Sequence, residues 1–86
     1  MIETAENRIK RLQMRSWRRG TKEMDMILGP YSDTEITGLS PEALELYEAL
    51  LVENDQDLYV WMSRQAAAPA EHAEIVEIIQ NFHKIA

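Results

Sequence analysis

No cysteine occurs among the 86 residues. That excludes a disulfide frame and thiol chemistry, and it fits a reducing compartment. Glycine is scarce, at positions 20, 29 and 38 only, in no G-x-G-x-x-G or phosphate-loop arrangement, so no nucleotide site can be read from the chain. Histidine is scarcer still. His72 and His83 fall on one predicted helix, about 20° apart around it but about 16 Å along it, which argues against a shared metal. They read as two solvated side chains on a helix surface. No serine has a histidine and an acid in a pairing the sequence supports, and N-cap and first-turn roles account for Asp55 and Asp57. The chain is therefore not read as an enzyme, and it is assigned no catalytic residue, no metal ligand and no cofactor-binding residue. No apolar run approaches the ~20 residues of a membrane span, so no membrane insertion is expected. The N-terminus lacks the apolar stretch of a secretory signal. Its arginines resemble those of a transit peptide, but Glu3 and Glu6 argue against one.

Cations are also missing, except in one place. Residues 1–22 carry seven basic and two acidic side chains, a balance of +5; residues 23–86 carry thirteen acidic and two basic, a balance of −11. An acidic protein with nearly all its cations in one short arm has one basic face with which to meet a partner.

Leu, Ile, Ala, Met and Glu dominate, which favours helices. The length suits one domain, residues 1–86, with one modest core. Ile2, Ala5, Ile9, Leu12 and Ser16 recur at spacings of three and four and predict a helix from about Thr4 to Arg18. Arg8, Arg11, Arg15 and Arg18 form a second stripe beside the first, and Trp17 lies off the apolar one. Gly20 follows as a left-handed C′ residue. Thr21 caps a second helix with Met24, Ile27 and Leu28 on its apolar face, which Gly29-Pro30 ends or kinks. The segment 31–38 is either a further helical turn or a loop. Ser40 and Pro41 open a third helix as N-cap and N1, with Leu39 and Leu44 as a hydrophobic staple. Leu44, Tyr47 and Leu51 face its core side, and Glu42, Glu45 and Glu48 face water. Asp55 caps a fourth helix with Leu58, Trp61 and Met62 inward. The fifth runs from about Ala70 to Lys84 on a stripe of Ile75, Ile78, Ile79 and Phe82. The fold class is all-α: a compact antiparallel bundle of five short helices.

Two features exceed what a bundle requires. One is the basic stripe. The other is Arg19-Gly20-Thr21-Lys22-Glu23 at the junction where the charge changes sign. This run matches the R-G-x-x-E motif of the succinate dehydrogenase assembly factors, the small flavinylation factors of bacteria and mitochondria. The resemblance extends over residues 16–25 as Ser-Trp-Arg-Arg-Gly-Thr-Lys-Glu-Met-Asp, and it resumes in Leu46-Tyr47-Glu48-Ala49-Leu50-Leu51 and in the D-x-D-L-x-x-W pattern from Asp55 to Trp61. It covers about residues 8–83.

The resemblance implies an assembly factor that binds the flavoprotein subunit of succinate dehydrogenase, and in some bacteria that of fumarate reductase, and promotes covalent attachment of FAD to it. The flavin would sit on the partner, with no cofactor held stably by this chain. The resemblance places Arg19, Gly20 and Glu23 at the contact, flanked by Arg18 and Asp25; Arg15 and Arg11 of the basic stripe are expected to continue that surface. A monomer is expected, in the cytoplasm of a bacterium or in the mitochondrial matrix of a eukaryote. Arginine suits carboxylate recognition, glycine lets a partner backbone come close, and Glu23 adds the opposite sign that fixes orientation. The competing reading is a nucleic-acid-binding or antitoxin-like protein using the basic helix. The acidic remainder of the chain would repel a phosphate backbone, and no nucleic acid is expected as a partner.

Overall fold

In the computed structural model, which describes residues 3–84, five helices follow one another: α1 (Ala5–Trp17), α2 (Lys22–Glu35), α3 (Pro41–Leu50), α4 (Asp55–Met62) and α5 (Ala70–His83). A 3-10 turn, Ile36–Gly38, joins α2 to α3, and the described residues form no strand. Side-chain caps open four of the five helices. Thr4 accepts from the Asn7 amide, Thr21 from Met24, Ser40 from Ala43 and Asn54 from Asp57, each satisfying a donor that a helix start leaves without a partner. Pro41 stands at the start of α3, where its missing N–H matters least.

Helix α1 packs along α2, and α5 lies against α3, α2 and α4. Between them Leu12, Met24, Leu28, Tyr31, Tyr47, Leu50, Leu58, Met62, Ile75 and Ile79 are buried. Leu39 and Leu44, the expected staple, are half-buried against this cluster. A polar seam runs through the core at Ser16 and Tyr47. The Ser16 hydroxyl donates to the Leu12 carbonyl at 2.7 Å, which leaves its oxygen to accept from the Tyr47 hydroxyl at 2.6 Å. Tyr31 packs at a tilt against Tyr47 and meets Phe82 edge-on.

Several expectations need correction. Gly29-Pro30 does not end α2, which runs on to Glu35 and takes in most of the segment left open between helix and loop. Proline removes the bond to the carbonyl four residues back, at Met26. Met26 lies on the exposed side of α2, where water can replace that donor, while Leu28, Gly29, Tyr31 and Ser32 are buried and hold the following turn in place. Gly20 is not a left-handed cap. Arg18 ends α1, and no glycine has a positive φ. The N-cap of α4 is Asn54, not Asp55, whose carboxylate is used elsewhere. On α5, Ile78 is exposed and Val76 is buried; Phe82, and Trp61 on α4, are half-buried at the margin of the core.

Neither histidine is solvated. His72 is buried, with Nε2 2.7 Å from a Glu53 carboxylate oxygen and its ring against Trp61. His83 is half-buried and donates from Nε2 to the Ile27 carbonyl at 2.6 Å. Ile2, assigned to the α1 stripe, lies outside the described residues.

Candidate partner-binding surface

Helix α1 ends at Trp17, and the chain crosses to α2 through residues 18–21. Four short bonds tie this crossing to the α3–α4 connection. The Arg19 guanidinium donates from Nε to Asp55 Oδ1 at 2.8 Å, from Nη1 to the Leu51 carbonyl at 2.8 Å and from Nη2 to the Glu53 carbonyl at 2.6 Å. The other oxygen of Asp55 accepts from the Thr21 amide at 2.9 Å. Asp25 accepts from the Arg19 amide at 2.7 Å and so closes the crossing from the α2 side. The Arg19 and Asp55 side chains are each only 11% exposed. Arg19 therefore faces inward. It satisfies two carbonyls that the end of α3 leaves without helical partners, in a role that suits a planar, five-donor cation.

This clasp leaves an outward crest. Arg18, Gly20, Lys22 and Glu23 are exposed. Among the described residues, the side chains of Arg18, Lys22 and Glu23 form no ion pair. A Cβ at Gly20 would stand 3.2 Å from Asp55 Oδ2, so glycine is fitted to the clasp beneath it as well as open to the outside. Two shallow clefts flank the crest. One, of about 430 Å³, lies between Arg18-Arg19-Gly20 and the start of α4. The other, of about 350 Å³, lies between Glu23 and the Gln56–Tyr59 face of α4.

The basic stripe is largely spent inside the molecule. Arg8 and Arg11 both hold Glu48 of α3, at 2.7 and 2.8 Å, and Arg11 also pairs with Glu3. Glu48, expected to face water, is thus the anchor between α1 and α3. The Arg11 guanidinium, and then Arg8, hold its carboxyl below the usual range against the opposing effect of burial. Arg15 reaches the Leu51 carbonyl at 3.4 Å. Of the seven residues proposed for the contact, the structure gathers Arg18, Arg19, Gly20, Glu23 and Asp25 at the crossing. Arg19 and Asp25 stand there as its supports, and Arg15 and Arg11 run away from it along α1.

Sequence reasoning missed Asp55, Gln56 and Tyr59 as neighbours of the motif. Their spacing carried a signal, since Tyr59 lies four residues after Asp55 and three after Gln56, the separations that make helix-surface neighbours. Nothing local, however, showed that this face meets the α1–α2 crossing.

A family model described as the flavinator of succinate dehydrogenase matches residues 10–83. The chain belongs to this family. A relative from Legionella pneumophila (strain Lens), named FAD assembly factor SdhE, is 34% identical over 76 residues, covering 88% of this chain and 96% of the relative. A longer protein from Dictyostelium discoideum, named succinate dehydrogenase assembly factor 2, mitochondrial, is 31% identical over 84 residues, covering 96% of this chain and 60% of that protein. A third, of the same name and from Mycosarcoma maydis, is 32% identical over 71 residues, 83% of this chain and 30% of its own length. The matched span takes in both ends of the clasp, Arg19 and Asp55, and the crest that the clasp shapes.

Proposed function

We propose that this chain binds the flavoprotein subunit of succinate dehydrogenase through the crest at Arg18, Gly20, Lys22 and Glu23, and promotes covalent attachment of FAD to that subunit. The observation that carries the reading is the crest itself, two cations and a carboxylate that form no ion pair among the described residues, around a glycine, bonded from beneath through Arg19 and Asp55. A surface ordered before binding loses less freedom when a partner docks. The flavoprotein of fumarate reductase, a similar acceptor, is the second partner of the same kind. The chain acts as a monomer in the cytoplasm of a bacterium, or in the mitochondrial matrix of a eukaryote. Among the described residues, no helix is long and apolar enough to cross a membrane.

In this reading the chain performs no bond chemistry and holds no cofactor of its own. The effect on the partner is differential binding. A ligand shifts an equilibrium only by its preference for one state, here the flavoprotein conformation that aligns the flavin with its acceptor side chain. Alignment alone can lower a barrier by ~7–11 kcal/mol, so it is a sufficient cause.

The test mixes purified flavoprotein subunit, FAD and fumarate with and without the chain, and follows in-gel flavin fluorescence. Wild type accelerates attachment, and no fluorescence stays on the small chain after denaturation. Gly20→Arg puts bulk on the crest and against Asp55. It weakens the complex while the far-UV circular dichroism stays helical. Failure of the wild-type pair to associate, with or without FAD, overturns the reading.

A further inference from the structure

The two clefts flanking the crest differ in charge. Arg18 lines one of them. The other, of about 350 Å³, is lined by two carboxylates, Glu23 and Asp55, by uncharged side chains including Gln56 and Tyr59, and by no cation. Asp55 is committed to Arg19 and to the Thr21 amide, which leaves Glu23 as the cleft's available charge. Among the described residues, neither the Glu23 carboxylate nor the Tyr59 hydroxyl has a hydrogen-bond partner. Tyr59 is 42% exposed, a large aromatic surface left uncovered beside a free carboxylate.

We propose that this cleft receives an arginine side chain of the flavoprotein subunit, its guanidinium paired with Glu23 and stacked on the Tyr59 ring. The inference rests on the docking surface proposed above and adds its α4 half. Charge complementarity selects a cation, since the walls carry carboxylates and nothing to offset the free one. The aromatic wall selects a planar cation, because guanidinium both stacks on a ring and presents paired donors to a carboxylate, whereas ammonium acts as a compact, strongly hydrated point charge. The Gln56 side-chain amide, on the same helix face as Tyr59, offers a further acceptor. The surface is therefore bipolar. Arg18 meets an acid on one side of the crossing, and Glu23 meets a base on the other, so only one orientation of the partner satisfies both.

The test measures the affinity of the intact chain for the purified flavoprotein subunit with FAD by titration calorimetry, with thermal melts as a check on folding. Glu23→Gln keeps shape and removes charge, and Tyr59→Ala removes the ring; each weakens binding about tenfold. Tyr59→Phe keeps the ring and binds within about twofold of wild type. The Glu23→Gln penalty shrinks in about 1 M salt, where a partly exposed pair is screened. Glu23→Arg abolishes the complex, and one exposed arginine of the flavoprotein restores it when changed to glutamate. Wild-type affinity in both Glu23→Gln and Tyr59→Ala overturns the cleft assignment while leaving the proposed function intact. A loss in Tyr59→Ala alone means an apolar occupant and overturns the arginine. A wild-type chain that does not bind the flavoprotein removes the function and this inference together.

Discussion

Arg19 is the residue on which the motif rests, and its geometry separates two effects that a binding assay alone would merge. Its guanidinium carries an ion pair and two carbonyl bonds in a largely buried setting. Removing one partner of such a cluster leaves the others without compensation. Arg19→Ala is expected to lower stability by about 2–4 kcal/mol in chemical denaturation. Arg19→Lys recovers only part, because an ammonium cannot reproduce three divergent bonds from a planar fork. A loss of binding in Arg19→Ala without a loss of stability would contradict the inward role. Gly29 makes a second residue-scale case. A Cβ there would overlap the Trp17 indole, whose Nε1 donates to Asp33 at 3.0 Å. Gly29→Ala should displace the indole, at a cost of about 1–3 kcal/mol from overpacking. Tryptophan fluorescence would report the displacement, and Trp17→Ala should relieve most of the cost, so the pair is non-additive.

Between elements, α1 and α3 are joined by ion pairs through Glu48. Glu48 accepts from Arg8 and from Arg11, and both guanidinium groups hold its carboxyl below its ordinary value of 4.5. A carboxyl whose folded-state pKa is depressed contributes stability that is fully present above its unfolded value. That contribution is lost as the pH falls through the lowered folded value. The chain should therefore lose stability below about pH 4.5, and Glu48→Gln should flatten that acid limb while lowering stability at neutral pH. Thermal melts from pH 7 to pH 3 check it, and an acid limb unchanged in Glu48→Gln would remove Glu48 as its source. The same pairing explains why a stripe that looked like a binding face in the sequence is mostly a helix–helix seam.

At the scale of the molecule, the net charge of −6 and the internal use of Arg8, Arg11, Arg15 and Arg19 leave little basic surface. Affinity for DNA or RNA should be no better than the ~10⁻⁴–10⁻⁶ M of non-specific electrostatics, and it should vanish as salt rises. Fluorescence anisotropy with a labelled duplex and a labelled single strand measures this. A nanomolar, sequence-selective complex at physiological salt would make the basic helix a nucleic-acid-binding element.

What the chain alone determined lies in local chemistry. The caps at Thr21 and Ser40, the proline at the start of α3 and the three-and-four spacing of apolar residues specify five helices without reference to one another. The run from Arg19 to Glu23 was likewise visible as a string of residues, because it is contiguous. Interactions between distant residues were not. Asp55 has the chemistry of an N-cap and stands where one was due; only the approach of the α1–α2 crossing, 34 and 36 residues away in sequence, turns it into the anchor for Thr21 and Arg19. His72 and Glu48 look like surface residues on their own helices until Glu53 and the α1 arginines arrive opposite them. Gly29-Pro30 looks like a stop, yet the helix continues because Leu28 and Tyr31 on either side are buried, and tertiary packing outweighs the one hydrogen bond that proline removes.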